Sequence, residues 1–125
     1  MARVPIVRLG ETLIATVQEE LSDRDALTLQ EDLSATLERT GAVGILLDLS
    51  SVQTVDSFLG RMLNDTAAEM RLLGAATVIV GIQPAVAITL VELGLELNGV
   101  RTALDAQKGL RLLRRLMLTD ARPTR

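Results

Sequence analysis

Asp48, Asp56 and Ser57 are the side chains of this sequence whose types and placement could do chemistry. They lie in Leu46-Leu47-Asp48-Leu49-Ser50-Ser51-Val52-Gln53-Thr54-Val55-Asp56-Ser57-Phe58-Leu59, which reads as a buried strand, a polar loop and the opening of a helix. A serine at the mouth of a helix caps it by accepting a bond from a backbone N–H of the first turn, worth ~1 kcal/mol. Its hydroxyl is also where an added phosphate is best stabilised, because the helix N-terminus favours negative charge. Asp56 has three readings: a cap for the loop, recognition by a modifying kinase, or standing negative charge beside the acceptor. Asp48 ends the strand, at the carboxyl edge where open α/β sheets build their sites. A hydrogen-bonded structural role and contact with a partner both fit it. Phe58 is the only aromatic residue. It is either core in the first helical turn or a partly exposed anchor of the kind enriched at interface hot spots.

The remaining composition withholds most catalytic chemistry. With no histidine and no cysteine, the common zinc sites and the Ser-His or Cys-His nucleophilic arrangements cannot be assembled. No glycine-rich phosphate loop appears. The expectation is therefore a non-enzyme with no cofactor and no metal. A net charge of −3 without Trp or Tyr argues against nucleic acid, which needs clustered cations and stacking platforms. No apolar run approaches the ~20 residues that cross a bilayer, and no signal-peptide pattern is present. No membrane partner is expected, and the lack of cysteine is consistent with the cytoplasm. Arg111, Arg114 and Arg115 near the chain's end either complement a helix dipole or make a small basic face for an acidic partner.

These residues need a frame. Apolar residues are 48% of the chain, so with one aromatic the core is Leu, Val, Ile and Ala, suited to helices packed on a buried sheet. Val4 to Leu9 and Thr12 to Val17 read as strands joined at Gly10-Glu11. Ala26, Leu29, Leu33 and Leu37 give one apolar stripe on a helix over Arg24 to Thr40, ended by Gly41. Gly44 to Leu49 and Ala76 to Ile82 are near-continuous apolar runs, as in parallel strands covered on both faces. A helix follows each, one from about Phe58 to Leu73 and one opened by Pro84 and ended by Gly94. Leu59, Met62, Leu63, Thr66 and Met70 face inward on the first of these. The second is apolar enough that part of it stays outside the core, and Leu95 and Leu97 beyond it read as satellite packing. Val100 to Leu104 is a last short strand, Asp105 a cap, and Ala106 to Leu118 the final helix. The sum is a single α/β domain over residues 1–118, with a mostly parallel sheet in the order β-β-α-β-α-β-α-β-α, and a frayed tail over 119–125.

The Asp56-Ser57 pair, followed by Gly81-Ile82-Gln83-Pro84-Ala85-Val86-Ala87, resembles the STAS domains of bacterial signalling, the anti-anti-sigma-factor fold. Within that family it looks most like the RsbS subgroup of stressosome scaffolds. The resemblance covers nearly the whole chain and implies the same element order. It implies that Ser57 is a phospho-acceptor, that Asp56 and Phe58 are its recognition surroundings, and that Asp48 contributes to partner binding. It further implies capture of an RsbT-type serine/threonine kinase, co-assembly with RsbR-type paralogues, and homo-oligomers within a large cytoplasmic complex. Thr36, Thr40, Ser50, Ser51 and Thr54 are other possible acceptors, none of them at the expected cap position. A first rival is a free-standing anti-anti-sigma factor similar to SpoIIAA, although that class usually reads Asp-Ser-Ser-Gly where this chain has Asp56-Ser57-Phe58-Leu59-Gly60. A small hydrolase or isomerase using Asp48 and Asp56 lacks a partner base and a nucleophile, and a STAS module that binds a nucleotide or lipid is a third alternative.

Overall fold

The computed structural model describes residues 4–19, 21–95, 97 and 100–120. Among them, the elements follow in the order β1 (Ile6–Leu9), β2 (Thr12–Thr16), α1 (Asp23–Thr40), β3 (Gly44–Asp48), α2 (Ser57–Leu72), β4 (Ala76–Val80), α3 (Pro84–Glu92), β5 (Arg101–Ala103) and α4 (Ala106–Asp120). β1 and β2 form an antiparallel hairpin around Gly10-Glu11, with Gly10 at φ 62°. β2 to β5 pair in parallel, and all five strands lie side by side in chain order.

That strand order fixes the layers. Each parallel step moves one position in the same direction, so crossovers of one hand place α1, α2 and α3 on one face of the sheet. Ile45, Leu47 and Ile79 pack there with Leu29 and Leu33 of α1, Leu63 and Met70 of α2, and Leu90 of α3. The other face is left to α4, whose Leu113 packs with Leu46, Val78 and Val80. β3 and β4 are therefore apolar at successive positions, because both of their faces are covered. Gly109 lets α4 lie this close: a Cβ there would sit 2.7 Å from Leu46 Cδ1 and also collide with Val80.

The helix ends have local causes. Ser22 and Asp25 form a reciprocal capping box at the start of α1, and Gly41 ends that helix at φ 71°. Asp105 Oδ1 accepts from the Lys108 N–H at 2.9 Å at the start of α4. The edge elements are shorter than their sequence patterns. β1 starts at Ile6 rather than Val4, and β5 spans Arg101–Ala103 rather than Val100 to Leu104. Each pairs on one side only, so a residue beyond the neighbouring strand's reach has no ladder to join. α4 continues to Asp120, past Leu118, while the rest of the expected tail, 121–125, lies outside the described residues.

Candidate phosphorylation site at the start of α2

β3 delivers Asp48 at its carboxyl end, half-buried, and the chain then turns sharply. Asp48 Oδ1 accepts from the Ser50 N–H at 2.9 Å, and the Val52 N–H bonds to the Leu49 carbonyl at 2.9 Å. Gln83 reaches across from the loop after β4, its Nε2 donating to the Ser50 carbonyl at 2.8 Å. Gly81 permits that approach. Its φ is 76°, and a Cβ on it would sit 2.9 Å from Ser50 Cβ and 3.0 Å from Ser50 N. The Gly81-Ile82-Gln83-Pro84 segment thus works as a clamp: glycine for close approach, glutamine for the bond, proline to open α3 at a position needing no N–H. Asp48 belongs to this clamp.

The loop ends at Asp56, and here the structure corrects the expected cap. Asp56 has extended backbone angles, φ −114° and ψ 178°, and its Oδ1 accepts from the Leu59 N–H at 2.9 Å. The ladder of α2 begins with the Gly60 N–H on the Asp56 carbonyl at 3.1 Å. Ser57 is therefore the first helical residue and not the N-cap. The carboxylate one position earlier takes the third-turn-position N–H that a capping serine would have used. Ser57 is half-buried, and its hydroxyl makes no hydrogen bond among the described residues. The N–H groups of Ser57 and Phe58 have no intrahelical acceptor, as at any helix start. The position therefore keeps its preference for negative charge even though the cap is its neighbour.

Phe58 is neither fully core nor fully exposed. It is half-buried against the core that α1, α2 and α3 share, and it also lines a cleft of about 150 Å³ between the starts of α1 and α2. Glu19, Asp23 and Asp56 line the same cleft, so three carboxylates flank the start of α2, although Ser57 itself does not line it. Sequence reading missed Glu19 and Asp23. No spacing links them to Asp56, and only the parallel β2–β3 pairing brings the two loops together. Asp48 does not line this cleft. Gly60 seats the first turn of α2 against α3: a Cβ there would lie 3.2 Å from Leu90 Cδ2 and collide with Leu95. Leu95 and Leu97 are partly buried against the core, as satellite packing requires.

The other hydroxyls are placed differently. Thr40 donates to the Thr36 carbonyl at 2.7 Å and accepts from the Ala42 N–H at 3.2 Å, closing α1. Ser50 and Ser51 are exposed in the clamped loop, and Thr54 lines the cleft ahead of the helix. Arg111, Arg114 and Arg115 are exposed on α4. Among the described residues, no group of acidic side chains is arranged to hold a metal ion, and no helix is long and apolar enough to cross a membrane.

A mixed five-stranded sheet with three helices on one face, and a serine opening the helix after the second parallel strand, define a class. Residues 3–106 match the STAS domain model, and the chain belongs to the STAS-domain family. Within it, the chain is similar to a serine-to-glutamate variant of Moorella thermoacetica RsbS: 38% identity, a TM-score of 0.81, and coverage of 92% of this chain and 97% of that one. It is similar at 38% identity to a chain of a solved stressosome, described as a signal integration and transduction hub, with a TM-score of 0.79 over 90% of this chain and 97% of that one. The RsbT co-antagonist protein RsbRA of Bacillus subtilis is 30% identical over 108 residues, 86% of this chain. The chain spans only 37% of that relative's length.

Proposed function

We propose that this protein is a non-enzymatic scaffold of a stressosome-type signalling complex in the cytoplasm, which holds an RsbT-type serine/threonine kinase until Ser57 is phosphorylated. The observation that supports this most is the half-buried hydroxyl of Ser57 at the first position of α2, which makes no hydrogen bond among the described residues and adjoins a cleft whose lining includes Glu19, Asp23 and Asp56. A phosphate there leaves the fold intact, because the unsatisfied N–H groups of the first turn favour added negative charge. It changes the surface instead. Roughly −1.5 to −2 charges at neutral pH join Asp56, Glu19 and Asp23, and a docking face fitted to the neutral serine is repelled. The kinase supplies ATP and metal. Similarity to a stressosome chain and to an RsbT co-antagonist supports RsbR-type paralogues as co-assembling partners.

The test is the affinity of the cognate kinase for wild type, Ser57→Ala and Ser57→Asp. Ser57→Ala is expected to bind like unmodified wild type and to keep the kinase when ATP is added. Ser57→Asp is expected to bind at least about tenfold more weakly, a difference of about 1.4 kcal/mol. Equal affinity for all three proteins would mean that Ser57 merely begins a helix.

A further inference from the structure

The helical charges of this chain are sorted between the two faces of its sheet. α1 carries five acidic residues against two arginines, and α4, on the other face, carries four basic residues against one aspartate. Helix ends explain some of these positions. Asp23 and Asp25 stand in the first turn of α1, where negative charge is favoured, and Asp25 also completes the capping box. Glu31 and Glu38 have no such cause. Both are exposed, neither has a Lys or Arg three or four positions away on the helix, and Glu38 lies in the last turn, where the dipole disfavours a carboxylate. α4 repeats this with the sign reversed. It runs on to Asp120, so Arg111 and Arg114 lie in its middle rather than in the last turn that favours cations. Neither has an Asp or Glu three or four positions away. Arg111 instead has Lys108, Arg114 and Arg115 at those distances, and like-charge pairs of this kind destabilise a helix.

Solvation tolerates exposed charges, but it gives no reason to gather one sign on a helix at a cost to that helix. The spacing of the two rows supplies one. Glu31 and Glu38 stand two turns apart, about 10 Å along α1, with exposed Ala35 between them. Lys108 and Arg115 stand the same two turns apart on α4, with Arg111 between them. Ala35 is small enough for a second helix to approach closely, and Leu27, 49% exposed one turn earlier on α1, adds an apolar contact. A two-fold contact of α4 with α4, or of α1 with α1, would set like charges opposite each other. The complement of α4 is therefore α1, and because the two lie on opposite faces of one chain, they meet only between copies.

We propose that α4 of one copy docks along α1 of the next, head to tail. This rests on the scaffold reading above and names the surfaces by which copies join. The contact is heterologous, so each copy uses both faces at once and successive copies close a ring or extend a row. The opposed fields of the two faces steer the copies into register.

Sedimentation velocity of the full chain tests this at about 0.05 M salt and at about 1 M, which cuts the Debye length to about 3 Å. Wild type is expected to form species heavier than one chain at low salt and to fall back toward the monomer at high salt. Arg111→Glu with Arg114→Glu, and separately Glu31→Arg with Glu38→Arg, should each weaken self-association at least about tenfold. An equimolar mixture of the two variants should regain the wild-type size, because the acidic α1 of the first meets the basic α4 of the second and the reversed helices match as well. The α4 variant turns two of three like-charge pairs into opposite-charge pairs, so its thermal midpoint should not fall and its lost association is not lost folding. Association that ignores salt, either variant associating as wild type does, or a mixture that stays small overturns the head-to-tail contact and leaves the scaffold reading standing. So does a chain that is monomeric alone and assembles only with an RsbR-type paralogue. A chain monomeric in every condition removes both.

Discussion

Ser57 and Asp56 divide between them two roles that one residue could have filled. Asp56 holds the helix start through its bond to the Leu59 N–H, and the Ser57 hydroxyl makes no hydrogen bond among the described residues. Urea unfolding separates the two. Asp56→Ala should lose about 1 kcal/mol with its cap, whereas Ser57→Ala should stay within about 0.5 kcal/mol of wild type; the reverse ranking would return the cap to the serine. The pair itself was legible in the sequence, because an Asp-Ser step between a polar loop and an apolar-periodic segment marks a helix start. Which of the two caps was not legible. Both residue types cap well, and the choice depends on which one keeps extended backbone angles. The acidic surroundings were hidden more deeply, since Glu19 and Asp23 come beside Asp56 only through the pairing of β2 with β3.

At the scale of elements, the clamp between the loops after β3 and β4 is what presents α2. Gly81→Ala and Gly41→Ala both place a side chain at positive φ, at 76° and 71°, each costing about 1 kcal/mol. Only at Gly81 does the new Cβ also press on Ser50. Gly81→Ala should therefore destabilise by at least about 1 kcal/mol more than Gly41→Ala, from added overpacking. Matched thermal or urea midpoints of the two variants check it. Gly41 was readable as a helix stop from its place after the Leu29, Leu33 and Leu37 stripe, and β3 and β4 from their unbroken apolar runs. The clamp was not readable, because the Gln83–Ser50 bond joins loops distant in sequence and leaves no periodic trace. The edge strands β1 and β5 were overextended for a related reason: their length depends on how far a single neighbour reaches.

At the scale of the molecule, the lone helix on one face leaves apolar surface uncovered. α4 packs on β3, β4 and β5, so Val7, which pairs with Ile14 on that same face, stays 59% exposed. On α3, Val86 and Leu90 turn inward while Ile88 and Val91 remain 58% and 77% exposed. Surface of this kind suits a protein that packs against copies or paralogues. Sedimentation is expected to show species heavier than one chain, alone or mixed with an RsbR-type partner. A strict monomer under both conditions would count against a scaffold. The central claim concerns a single atom, the Oγ of Ser57, and phosphosite mapping after incubation with the cognate RsbT-type kinase and ATP tests it most directly. The prediction is one phosphate, on Ser57, accompanied by release of the kinase. Phosphate confined to Ser50, Ser51 or Thr54, or a chain left unmodified, would contradict it.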